Sequence, residues 1–213
     1  MQTETDAVDT EPRTRHSASA TVVVGAVLGL AWAAAFRGFM AEIAGGASRF
    51  EWYGTFVGVL AAGVIAGALL GLAEYFRRTG GRRGWRWLAL APLAFAVLPL
   101  TMEGAFEALF TQGLGGGAIA VPLIGIAGGF AVSGRGWIWA RVLCGLVTIA
   151  FLVAVALTVP GVGGTRLALD QPRGAWVATM AVACVVVLCL ASSIPFRRVV
   201  PVRDAAVARG ATP

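Results

Sequence analysis

Six apolar segments dominate this chain, and each is long enough to cross a lipid bilayer as a helix. The hydrocarbon core of a bilayer is about 30 Å thick, which takes roughly 20 residues of α-helix. A helix satisfies its own backbone hydrogen bonds in lipid, so helices are the expected spanning form. The sequence therefore predicts an all-α, polytopic transmembrane helix bundle with six spans. The predicted spans are 19–40, 54–76, 86–108, 115–133, 138–159 and 175–196.

The composition supports a membrane class. Apolar residues make up 58% of the 213 residues, charged residues only 13%, and the mean hydropathy is +0.79. A soluble domain carries about 25% charged residues, so this chain could not cover itself with polar surface. All 17 basic residues are arginine. Together with heavy alanine, glycine and valine usage, this indicates a GC-rich bacterial genome and predicts a bacterial cell (plasma) membrane location.

The distribution of arginine predicts the orientation. If the N-terminus is cytoplasmic, 13 of the 17 arginines fall on the cytoplasmic side. Arginine accumulates on that side of membrane proteins, so both termini are predicted to be cytoplasmic. The net charge of +6 then reflects topology, and no nucleic-acid partner is expected. The predicted parts are a disordered cytoplasmic tail (1–18), a six-helix transmembrane domain (19–196) and a short basic cytoplasmic tail (197–213).

The first apolar segment has a second interpretation. It contains Ala33-Ala34-Ala35, which resembles a signal-peptidase site. The polar lead before it is long and acidic, and the apolar run continues past the alanines to Met40. These features favour a retained first span.

Glycines at four-residue spacing predict close helix packing in the second span. Gly63, Gly67 and Gly71 lie on one helix face, where a neighbouring backbone can approach closely. Tight packing within one chain is the favoured interpretation, and a seam between copies is the alternative. The expected partners are the lipid bilayer and either a homo-oligomer or another membrane protein. The same spacing recurs in the first and fourth spans, at Gly25, Gly29, Gly125 and Gly129.

Residue types that carry common membrane chemistry are sparse. The three cysteines have no C-x-x-C spacing, and the single histidine, His16, lies in the polar N-terminal tail. No G-x-S-x-G nucleophile motif is present. The sequence therefore predicts no catalytic residue, no metal site and no cofactor, and the chain is not expected to be an enzyme.

Charged residues near the predicted outer membrane boundary form the candidate site, which we call the outer cluster. The favoured interpretation is an ion-pair network in which Arg37 pairs with Glu103, with Glu107 or Glu42 as alternative partners. The other interpretations are a cation or solute site and a solvated surface. At the inner end of the second span, Glu74 is predicted to pair with Arg78. The outer cluster comprises Arg37, Glu42, Arg49, Glu51, Glu103 and Glu107.

The function predicted from these observations is a non-catalytic membrane component, such as an accessory or assembly subunit. The alternative is a small-solute or ion transporter or channel with a carboxylate site on the outer side. Pro92 and Pro99 in the third span and Pro122 in the fourth favour that alternative, because prolines kink membrane helices and kinked helices line cavities in many transporters.

One short motif resembles a known group. Arg37 and Met40 end the first span, and Phe50-Glu51-Trp52 leads into Gly54-Thr55. This R-x-x-M ending followed by F-x-W-x-G-T is similar to a pattern in uncharacterised small actinobacterial multi-pass membrane proteins. The resemblance covers residues 37–55 and implies a bacterial membrane protein without implying an activity.

Overall fold

A computed structural model describes residues 17–101 and 116–199 of the chain. Every regular element within these two ranges is helical, which confirms the predicted all-α class for this part of the chain. The connections are short, and several continue as 3-10 turns. The α-helices are α1 (Ala18–Ala44), α2 (Ala62–Arg78), α3 (Ala94–Leu100), α4 (Gly116–Val132), α5 (Ile138–Gly163) and α6 (Pro172–Ser192).

In the described part of the chain, six apolar helical regions overlap the six predicted spans. Two are shorter, Trp85–Pro99 and Gly117–Val132. Residues 102–115 lie outside the described residues and include the end of the predicted third span together with Glu103 and Glu107. Residues 1–16 and 200–213, nearly all of the two predicted tails, also lie outside them. Within residues 17–101 and 116–199, four helical regions are long and apolar enough to cross a membrane: Ala18–Ala47, Trp52–Arg78, Ile138–Leu167 and Pro172–Phe196.

Two helical regions begin irregularly. The second starts with a π-helical stretch, Trp52–Ala61, that runs directly into α2. The third starts with a 3-10 stretch, Trp85–Leu93, which contains Pro92 and precedes α3. Proline cannot donate the backbone hydrogen bond that an α-helix needs at its position, so the third region does not form one continuous α-helix. By contrast, Pro122 lies inside α4, which continues to Val132.

The glycines of α1 and α2 meet at an antiparallel crossing. Gly29 lies opposite Gly63 and Gly67, and Gly25 lies opposite Gly67 and Gly71. The backbones are so close that a methyl group at Gly67 would lie 2.8 Å from the Cα of Gly29. This pair forms the most extensive helix–helix interface in the described part of the chain. The predicted packing face therefore lies between two helices of one chain.

Helix directions alternate along the chain. In α4 and α6, Gly125 lies against Leu188 and Gly129 against Ser192, so these two helices run parallel. Helix α5 runs antiparallel to α4, since the Arg141 side chain reaches the carbonyl of Ala131. The first and last helices are also antiparallel, with α1 packed along α6.

Because the helix directions alternate, most of the described arginines lie at one end of the bundle. The rings of Phe130 and Phe196 lie 5.6 Å apart there, and Gly81 lies next to Val199. This arginine-rich end therefore joins the α2–α3 connection, the end of α4 and the end of α6. The described members of the outer cluster, Arg37, Glu42, Arg49 and Glu51, lie at the opposite end. The arginines of the arginine-rich end are Arg77, Arg78, Arg82, Arg83, Arg86, Arg135, Arg141, Arg197 and Arg198.

Candidate functional site

Arg37 holds the connection between the first two helical regions. Its Nη1 and Nη2 atoms donate to the Ser48 hydroxyl at 3.3 and 3.4 Å, and its Nε donates to Thr55 Oγ1 at 3.5 Å. Nη2 also donates to the backbone carbonyl of Arg49. The guanidinium carbon lies 4.2 Å from the centre of the Phe50 ring, a cation–π contact. One side chain thus fixes residues 48–55 to the end of α1.

These partners are neutral, which differs from the ion pair favoured on sequence. Among the described residues, Arg37 forms no salt bridge. Its preferred predicted partner Glu103 and the alternative Glu107 lie outside the described residues, so that pairing stays a prediction. The other alternative, Glu42, contacts a different arginine, as described next.

Glu42 connects α1 to the α5–α6 region. Its Oε2 accepts hydrogen bonds from Arg173 at 2.8 and 3.1 Å. Arg166 donates to the carbonyl of Glu42 at 2.9 Å and to that of Ile43 at 3.4 Å. Those carbonyls belong to the last turn of α1, where they lack helical partners and carry partial negative charge. Two arginines from the α5–α6 region therefore bind the C-terminal end of α1.

The ion pair itself contributes little to stability. The side chains of Arg173 and Glu42 are 59% and 40% exposed. Exposed pairs contribute about 0–1 kcal/mol. The capping of backbone carbonyls by Arg166 is the more substantial contact, because those carbonyls have no other acceptor role within the helix.

Arg49 and Glu51 act mainly through their backbones. The carbonyl of Arg49 accepts from Arg37, and the carbonyl of Glu51 accepts from the backbone N–H of Thr55 at 2.9 Å. Within residues 17–101 and 116–199, neither side chain forms a salt bridge. The same ranges contain no group of three residues placed to hold a metal ion. The described members of the outer cluster thus stabilise separate contacts. Arg37 binds the connection between the first two helical regions, and Glu42 binds the α5–α6 region.

A large groove lies between α1 and α6, with α2 as its floor. Its volume is about 870 Å³, within the range of about 300–1,000 Å³ typical of small-molecule sites. The lining is almost entirely apolar, and on α1 it extends from Ala20 to Ala35. The two charged residues in the lining, Glu74 and Arg78, both lie at the arginine-rich end. We call this feature the α1–α6 groove.

Trp32 joins the two walls of the groove. Its indole Nε1 donates to the carbonyl of Cys184 on α6 at 2.7 Å. The ring stacks on Phe36 with centroids 5.1 Å apart and meets the edge of Phe95 at 4.9 Å. These three contacts hold the Trp32 ring in one position. Packing around the ring therefore sets the separation of α1 and α6.

Glu74 and Arg78 form the polar mouth of the groove, and Arg77 lies beside it through its contact with Glu74. Glu74 accepts from Arg77 at 2.6 and 2.7 Å and also from Nε of Arg78. The predicted pairing of Glu74 with Arg78 is therefore present, with Arg77 as an additional partner. Two arginines and one glutamate leave one positive charge in excess at the mouth.

Sequence reasoning did not predict the groove. Its floor includes the glycines that were predicted to pack, Gly63, Gly67 and Gly71, so the signal for a smooth surface was present. The groove forms because of the way α6 packs beside α1. More than a hundred residues of chain separate these two helices. No local pattern encodes that approach.

Comparison with known proteins adds no functional assignment. No family model matches the chain, and no curated protein or solved structure matches it either. The resemblance of residues 37–55 to actinobacterial membrane proteins therefore stays a prediction. The features that bear on function are the α1–α6 groove and the charges at the two ends of the bundle.

Proposed function

We propose that this chain is a six-span integral protein of the bacterial plasma membrane with both termini in the cytoplasm. Six apolar helical regions follow one another in alternating directions, which supports six crossings. The arginine-rich end supports the orientation, because arginine accumulates on the cytoplasmic side.

Reporter fusions test the topology. Fusions at residue 81 and at the C-terminus are expected to report a cytoplasmic location, because residue 81 and residues 197–199, which precede the C-terminal tail, lie at the arginine-rich end. Fusions at residues 46, 113 and 168 are expected to report an external location. The measurement is the activity of paired reporters that work on one side of the membrane only. A cytoplasmic signal at residue 168 would contradict six spans.

Within that topology, we infer that the protein is a non-catalytic accessory component that binds one apolar ligand from the bilayer. The α1–α6 groove carries this inference, because its apolar wall faces the region where lipid chains would lie. Lipid tails are as apolar as the groove, so burial alone gives no driving force. Binding therefore depends on close packing and on polar contacts at the mouth.

Transport through outer carboxylates is the alternative function. It depends on Glu103 and Glu107, which lie outside the described residues, so it receives no support from the described structure. The groove favours the accessory component because it offers a binding surface of definite shape.

Two valines of α6 give a matched test of the groove. Val187 lines the groove and is 51% exposed, whereas its neighbour Val186 is 38% exposed and lies outside the lining. Val187→Trp is expected to fill the groove and to reduce the amount of co-purifying lipid at least about tenfold, which corresponds to about 1.4 kcal/mol of binding free energy. Val186→Trp is expected to leave it unchanged.

Native mass spectrometry of the detergent-purified protein measures the bound lipid directly as a mass increment. The thermal melting temperature of each variant serves as the folding control. Equal lipid retention by the two tryptophan variants and the wild type would show that the groove is not a ligand site.

A further inference from the structure

We propose that the α1–α6 groove binds an anionic phospholipid of the cytoplasmic leaflet, with an acyl chain along the groove and the phosphate on Arg78. This proposal rests on the proposed function, in which the groove holds a ligand from the bilayer. It adds the chemical class of the ligand and the residue that selects it.

Arg78 supplies the charge complementarity. Its Nε donates to Glu74, while its two terminal amino groups have no hydrogen-bond partner among the described residues. The side chain is 41% exposed, so those N–H groups are accessible at the mouth. A guanidinium presents a planar fork that matches the oxygen atoms of a phosphate. The mouth therefore offers donors and net positive charge to an anionic headgroup.

The neighbouring charges reinforce this selection. Arg77 binds Glu74 through two hydrogen bonds, which offsets the negative charge that would otherwise repel a phosphate. The remaining positive charge belongs to Arg78. A zwitterionic headgroup carries a cation beside its phosphate and would gain less from this excess charge.

The dimensions of the groove suit an acyl chain. Its lining on α1 extends from Ala20 to Ala35, a helical rise of about 22 Å. One leaflet contributes half of the hydrocarbon core, or about 15 Å. A chain that starts at the mouth near Arg78 can therefore lie along the groove for its whole length. The glycines and alanines of the wall allow close contact with methylene groups.

A transmembrane helix of a partner fits less well. The apolar surface of such a helix presents no anionic group to Arg78. The charge at the mouth of the groove therefore favours a phospholipid.

The test compares two lipids with identical acyl chains, phosphatidylglycerol and phosphatidylcholine. The purified full-length protein is incubated with an equimolar mixture, and native mass spectrometry gives the ratio of bound anionic to bound zwitterionic lipid. We expect at least about a fivefold preference for phosphatidylglycerol. Arg78→Gln is expected to bring the ratio close to one, and Arg78→Lys is expected to retain part of the preference.

Arg198→Gln is the matched control, because Arg198 lies at the arginine-rich end but outside the groove lining. It is expected to keep the preference of the wild type. Melting temperatures show whether each variant is folded, and Arg77 still pairs with Glu74 in both Arg78 variants.

Each outcome decides between the two proposals. If both lipids bind equally and Val187→Trp removes both, the assignment of Arg78 is overturned while the groove remains a lipid site. If Arg198→Gln abolishes the preference as strongly as Arg78→Gln, general surface charge explains the selection and the assignment also fails. If neither lipid binds and the protein purifies with a partner helix or as a dimer, both proposals fail.

Discussion

Gly67→Leu is expected to lower the free energy of unfolding by about 3 kcal/mol, the upper part of the range for overpacking a tight interface. Gly67 lies in the α1–α2 crossing, where even a methyl group would come within 2.8 Å of the Cα of Gly29. Backbone atoms cannot rotate away as a side chain can, so the two helices must separate. Thermal melts of the detergent-purified protein measure this effect.

Gly38→Ala is the control for the general effect of removing a glycine from a helix. No heavy atom lies within 4 Å of the position that a Cβ would take at Gly38. Alanine restricts the unfolded chain more than glycine, so this variant is expected to be neutral or to gain about 0.5–1 kcal/mol. Leu69→Ala is expected to cost less than Gly67→Leu. Similar melting temperatures for the Gly67 and Leu69 variants would show that the glycine face is not a packing interface.

Arg37→Ala is expected to lower the free energy of unfolding by about 1.5–3 kcal/mol, the range for hydrogen bonds to charged groups. The substitution removes the contacts with Ser48, Thr55 and the carbonyl of Arg49 together. Arg37→Lys is expected to recover little of this loss, because an ammonium cannot reach all three partners with one planar fork. Thermal melts measure the stability, and limited proteolysis between residues 45 and 51 reports on the connection.

Double-mutant cycles distinguish the observed partners from the predicted one. The losses for Arg37→Ala and Ser48→Ala are expected to be non-additive, because the two side chains contact each other. A cycle with Glu103→Ala tests the ion pair predicted from the sequence, and melts with and without added cations test the cation-site interpretation through Glu103→Gln. Additivity of Arg37 with Ser48 and with Thr55 would refute the structural account of the connection.

The positions of the helices could be predicted from the sequence, because each apolar run is bounded by arginines, glycines or prolines. The first helix was predicted to end at residue 40, yet α1 continues to Ala44. Glu42 lies beyond the predicted end of the first span, yet α1 extends through it and its carbonyl accepts a hydrogen bond from Arg166. Charged residues at a membrane boundary thus mark the end of the apolar run rather than the end of the helix.

The partners of the charged residues could not be predicted. Arg37 and Glu42 are five positions apart, and the sequence offered no reason for one to contact Ser48 and the other Arg173. Which arginine Glu42 contacts depends on how the α5–α6 region packs against α1, which is a property of the assembled bundle. The inner pair was predictable, because Glu74 and Arg78 are four residues apart on one helix and local geometry alone brings them together.

The contacts between α1 and α6 also limit the order in which the helices can assemble. Glu42 receives Arg173 from 131 residues further along the chain, and Trp32 receives the carbonyl of Cys184 from 152 residues further. The ribosome releases the first hairpin long before either partner exists, so the glycine crossing of α1 and α2 can form while one flank of α1 is still uncovered. The α1–α6 interface forms only after α6 has been synthesised and reaches α1, so any truncation within α6 leaves α1 without those contacts.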